Sequence, residues 1–123
     1  MNSYKLAERI NSDVNASVTY KTDLEQYDTP DYWVEATALG DCEDYALLKR
    51  QRLLDAGFAR KDLHLALCWD ETEAYHCVLL CNTSKGWFVL DNRYNWPMTP
   101  KSLPYHWDKA LDEVDGKWYE LSF

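Results

Sequence analysis

Three short apolar runs crowd the second half of the chain: Leu63–Trp69, Tyr75–Cys81 and Trp87–Arg93. Each is rich in aromatic and β-branched residues, and turn signals divide them, which is the pattern of β-strands. A loop punctuated by Pro97, Pro100 and Pro104 follows, and Trp118–Phe123 reads as a last strand. Upstream the periodicity changes. Leu6, Ile10 and Val14 share one face of a short helix from Tyr4 to Val14. A second helix is expected over Asp41–Ala56, with Gly40-Asp41 as its N-cap, Glu43 and Asp44 in the first turn and Gly57 as its stop. Leu47 and Leu54 form its apolar stripe, widened by Ala46 and Leu53. From Asn15 to Gly40 the pattern is irregular, with a turn at Asp28–Asp31 and an aromatic anchor at Tyr32-Trp33. Helices first and an antiparallel sheet afterwards define an α+β fold. With 123 residues, one domain over 1–123 is expected.

Charge narrows the partners. Thirteen Lys and Arg against 21 Asp and Glu leave a net charge of −8, which repels phosphate backbones and argues against nucleic acid. A protein or peptide substrate, or a cation, suits this balance. Six Trp and nine Tyr supply rings that fill cores and also line clefts for extended peptides, with Trp33, Trp69 and Trp96 as candidate cleft walls. No apolar run is long enough to span a membrane. Met1 to Ile10 has no apolar stretch of the secretory type, so a cytoplasmic location with reduced thiols is expected.

Cys42 is the first candidate for chemistry. One residue beyond the expected N-cap, its sulfur would sit at the positive end of a helix, where a thiolate is favoured. His76 and Asp91 each interrupt an apolar strand, where a polar side chain needs a partner. With a two- or four-residue hairpin loop centred between Thr83 and Ser84, positions 76 and 91 stand opposite, their Cβ atoms about 5 Å apart. A five-residue loop would pair His76 with Asn92 instead. An Asp beside a His fixes its tautomer and leaves the other ring nitrogen for the thiol.

Asp41, Glu43 and Asp44 crowd Cys42 with negative charge that opposes its ionisation. A hard cation with oxygen ligands, such as Ca²⁺, would relieve that conflict. Zinc is a poor reading of Cys68, His76, Cys77 and Cys81. Along a strand, positions 77 and 81 lie roughly 13 Å apart, and His76 faces the other way. Cys68, Cys77 and Cys81 are expected to be packing residues.

The run Gly40-Asp41-Cys42-Glu43-Asp44-Tyr45-Ala46, then His76 before Val78-Leu79, then Leu90-Asp91-Asn92, resembles the bacterial transglutaminase-like cysteine proteinases. Asn11, Asn15 and Asp31-Tyr32-Trp33 also resemble the family's N-terminal pattern, so the similarity covers about Ile10 to Asn92. It implies a papain-like fold in which the nucleophile opens a central helix packed on an antiparallel sheet. It implies a catalytic triad of Cys42, His76 and Asp91 acting on an amide carbonyl. One branch of the family depends on calcium held by carboxylates flanking the nucleophile, which carries over to Asp41 and Glu43, and less directly to Asp44 and to Asn11 or Asn15.

Peptide hydrolysis through a thioacyl-enzyme is the leading expectation, with the Cys42 N–H at the helix start contributing to an oxyanion hole. The chemistry itself requires no cofactor. The rival readings are transglutamination or deamidation of Gln side chains by the same triad, and a non-catalytic calcium-binding interaction module on the same fold.

Overall fold

The computed structural model describes residues 2–17, 34–112 and 114–123, with backbone alone for residue 17 and residues 34–41. Two helices, α1 (Ser3–Ser17) and α2 (Val34–Asp55), precede five strands. These are β1 (Leu63–Trp69), β2 (Tyr75–Thr83), β3 (Gly86–Leu90), β4 (His106–Asp112) and β5 (Lys117–Glu120). Every pairing in the sheet is antiparallel, in the order β3-β2-β1-β4-β5. The expected turn at Asp28–Asp31 and the Tyr32-Trp33 anchor lie outside the described residues.

Odd-numbered residues of β2, Cys77, Leu79 and Cys81, face the helices and meet Ala7, Ile10 and Val14 of α1 and Tyr45, Ala46 and Leu53 of α2. Even-numbered Val78 and Leu80 face the other way and pack with Ala66, Val89 and Leu103. The loop after β3 closes that second face. It is pinned by paired backbone bonds between Val89 and Met98, at 2.7 and 3.1 Å, and brings Tyr94 and Tyr105 over the sheet.

Several expectations are corrected. The second helix begins at Val34 rather than Asp41, because Val34 to Leu39 continue the helix and Gly40 does not stop it. A helix-interior Gly costs only about 1 kcal/mol against Ala. The buried stripe of α2 is Cys42, Tyr45, Ala46, Lys49 and Leu53, which turns Leu47 outward. Strand β3 ends at Leu90, so Asp91 lies in the turn beyond it. The hairpin turn is Ser84-Lys85, which sets Thr83 opposite Gly86 and Leu79 opposite Leu90. Gly86 has φ 108°, a left-handed value that suits a residue without Cβ. Strand β4 falls in a region read as loop, and β5 starts and ends earlier than Trp118–Phe123.

Candidate active site

The β2–β3 ladder stops at Leu79 and Leu90, while β2 runs back to Tyr75. Along that unpaired stretch Cys42, on the sheet-facing side of α2, takes the place of a neighbouring strand: its Sγ accepts a hydrogen bond from the Cys77 N–H at 3.2 Å. His76 is the adjacent residue of β2. Its Nε2 bonds Asp91 Oδ1 at 2.8 Å, and its side chain also hydrogen-bonds Cys42. With Nε2 committed to Asp91, Nδ1 is the ring nitrogen left for the thiol.

Asp91 reaches His76 by a route the hairpin argument did not foresee. The observed register would set position 91 opposite Val78 rather than His76. A slip of two residues preserves the facing of a side chain, whereas a slip of one reverses it. Asp91 therefore stays on the same side of the sheet as His76, reached along a diagonal.

Asp91 is only 1% exposed, and its carboxylate is fully engaged. Besides His76 it accepts the Arg93 N–H at 3.1 Å on Oδ1 and the Tyr105 hydroxyl on Oδ2. Burial works against its charge, but the bonds from His76, Tyr105 and Arg93 hold its carboxyl below the usual range. Burial opposes the charge on His76 too. Its bonds to Asp91 and Cys42 outweigh that, and its pKa is pushed up to about 9.

The turn that carries Asp91 is held from two sides. Asn15 Nδ2 donates to the Asp91 carbonyl at 3.0 Å and to the Tyr94 carbonyl at 2.8 Å, and Asn11 Nδ2 donates to the same Tyr94 carbonyl at 3.0 Å. Arg93 pairs with Glu71 in the β1–β2 turn, whose backbone is capped by Asp70 Oδ1 accepting from Thr72 and Ala74. Sequence reasoning missed Tyr105, Arg93 and Lys49. Asn11 or Asn15 is the further calcium ligand that the family resemblance implies; in the structure the amide Nδ2 of each holds this turn. A paired i, i+4 asparagine on the buried face of a helix was the available signal, since a buried amide needs partners. Lys49 is 0% exposed, and its Nζ lies 5.8 Å from the Tyr45 ring centre. Burial lowers its pKa to about 7, an effect partly offset by the Asp91 charge.

The other cysteines behave as packing residues. All four are free and buried. Burial pushes the Cys77 and Cys81 thiols up to about 12 and raises Cys68 further. The helix-start argument for Cys42 does not hold, because the residue sits about two turns inside α2. An interior helix N–H is bonded to the carbonyl four residues back, so the Cys42 N–H is no oxyanion donor. The backbone donor at the sulfur is the Cys77 N–H. Among the candidate calcium ligands, Glu43 and Asp44 are exposed, and the Asp41 side chain lies outside the described residues. Among the described residues, no three His, Cys, Asp or Glu side chains form a metal cluster. Trp69 packs its ring 5.2 Å from Tyr75 and 5.6 Å from His106, and both Trp69 and Trp96 are exposed.

A thiol, an imidazole and a carboxylate are thus linked in that order on a helix-and-sheet frame. The profile of the bacterial transglutaminase-like cysteine proteinases (BTLCP) matches residues 1–122, and the chain belongs to that family. No curated protein matches the sequence. Among solved structures the chain is similar to calcium-bound LapG of Legionella pneumophila, with a TM-score of 0.69 and 22% identity over 93% of this chain and 66% of LapG. EGTA-treated LapG gives a TM-score of 0.66 at 20% identity, over 95% of this chain and 72% of LapG. The chain thus spans about two-thirds of the length of that relative, with which it shares its fold.

Proposed function

We propose that the chain is a cysteine peptidase in which Cys42 attacks a peptide carbonyl, His76 carries the proton and Asp91 orients His76. The observation that carries this reading is the 2.8 Å bond from His76 Nε2 to Asp91 on one side of a ring whose other side bonds Cys42. The thiol proton passes to His76 Nδ1 as sulfur bonds to the carbonyl carbon. The imidazolium, held by Asp91, returns a proton to the leaving amine, and water then cleaves the thioester with His76 as base. A raised His76 pKa suits the imidazolium that this sequence needs. Transglutamination and deamidation share the acyl-enzyme. Ammonia release without chain cleavage would select deamidation.

Calcium is part of the proposal. Glu43 and Asp44 are hard, exposed oxygen donors beside the thiol, which is the chemistry calcium takes, and LapG is known in a calcium-bound form. Asp41 and Glu43 would hold the ion, with Asp44 as a further donor. When bound, it would offset the negative charge flanking Cys42.

A non-catalytic module on the same fold is the second reading, favoured by a single fact: Cys42 is 3% exposed. Iodoacetamide labelling, mapped by mass spectrometry in calcium and in chelator, separates the two. The peptidase reading expects fast alkylation at Cys42 that is lost in His76→Ala. If Cys42 labels no faster than Cys68, Cys77 or Cys81 under either condition, the binding module takes its place.

A further inference from the structure

Helix α2 does not cover the whole helix-side face of the sheet. Beyond it, Trp118 of β5 stands on that face, paired across β4 with Leu111. Between helix and strand lies a cavity of about 150 Å³, lined by Glu43, Leu65, Leu67, Tyr75, Cys77 and Trp118.

Its position ties it to the nucleophile twice. Cys77 lines it and gives its N–H to Cys42 Sγ, and Glu43 is the residue after Cys42 in α2. Its walls are apolar apart from Glu43 and are held in place. The Tyr75 ring is fixed by the hydroxyl's bond to Asp108, and Lys109 Nζ sits 5.4 Å from the Trp118 ring centre. Trp118 is 44% exposed, a large ring left half in water at the mouth. Size sets the guest: an apolar cavity of about 150 Å³ takes up a molecule the size of benzene. Glycine or alanine would leave it unfilled. The Glu43 carboxylate disfavours an acidic guest.

We infer that this cavity receives an aliphatic or aromatic side chain on the acyl side of the scissile bond, making the enzyme selective for leucine- or phenylalanine-like residues there. The acyl side is assigned because that half stays on sulfur after the amine leaves. The inference rests on Cys42 being the nucleophile.

The test uses peptidyl acyloxymethyl ketones that differ only in the residue beside the ketone: Leu, Phe, Gly or Glu. Alkylation of Cys42 is timed by mass spectrometry. The leucyl and phenylalanyl probes should react roughly tenfold or more faster than the glycyl probe, as apolar pockets discriminate, and the glutamyl probe slowest. Trp118→Ala, which removes an exposed wall, and Leu67→Phe, which fills the space, should each bring the leucyl-to-glycyl ratio toward one. Because each ratio is taken within one protein, it is independent of the variant's intrinsic thiol reactivity. If Leu67→Phe fails to fold, Trp118→Ala at the edge strand still decides. Equal leucyl and glycyl rates in the wild type, or a ratio unchanged in Trp118→Ala, overturn the cavity assignment while fast iodoacetamide labelling of Cys42 leaves the nucleophile standing. Slow iodoacetamide labelling of Cys42 overturns both.

Discussion

The two halves of the sheet are built differently. Strand β2 is buried along most of its length, with helices on one face and the Asp91–Tyr105 loop on the other, whereas every residue of β5 is exposed and β4 is only half-buried. The side chains of the proposed site need fixed positions, and the clad half supplies them: Asp91 has each carboxylate oxygen engaged and its turn held by α1. The cavity proposed for substrate needs open surface, and the bare half supplies that. The thiol sits at the boundary between them.

The largest test of this contrast is chemical. On the proposed mechanism His76→Ala should lower alkylation or turnover at Cys42 roughly a thousandfold or more, measured against the untouched rate of a surface substitution such as Val114→Ala. Next comes packing. Leu79→Ala in β2 should cost about 2–5 kcal/mol in urea unfolding, while Trp118→Ala in β5 should cost under about 1 kcal/mol. Similar losses at both sites would break the contrast.

The His76–Asp91 pair should leave its mark on stability against pH. A His whose pKa rises from 6.5 to about 9 on folding stabilises in full below pH 6.5 and loses that contribution as pH climbs through 9. Asp91, held below its usual 3.8, withdraws its share only in acid. The gap between wild type and Asp91→Asn should therefore plateau between about pH 4 and 6.5, on the order of 3 kcal/mol, and shrink by pH 9. Lys49 runs the other way. Its charged form is penalised by burial, so wild-type stability should rise from pH 7 toward 10.5 through this residue. Lys49→Met should accordingly stabilise by a few kcal/mol at pH 6, in line with buried charges replaced by apolar groups, and by less at pH 10. Tyr105→Phe should cost about 1–2 kcal/mol from one hydroxyl on a buried carboxylate, read in the same unfolding experiment.

The clad half was also the legible half. Strand β1 matches its sequence reading to the residue, because Leu63–Trp69 carries its own apolar signal. Strand β4 was missed because His106 to Asp112 has too little apolar character to announce a strand, and its pairing with β1 gives it that form. His76 and Asp91 stood out as polar residues in apolar strands and Cys42 by an expected helix-start position, and the structure brings all three together despite a register off by two. The start of α2 was misread because Gly40-Asp41 has the composition of a cap, and a local preference of about 1 kcal/mol yields to tertiary packing. Tyr105 gave no signal at all, since nothing in a proline-rich loop marks one tyrosine as facing a buried acid.

The asparagine clamp has a consequence for how the chain matures. Asn15 and Asp91 are 76 residues apart in sequence, and Asn11 and Tyr94 are 83 apart. Contacts of such span are slow to close. The first helix must therefore find the turn beyond the third strand before the imidazole gains a fixed orientation. Until then a nascent or partly unravelled chain carries the thiol without an aligned imidazole, so the activity proposed for this site would arrive only with the completed fold.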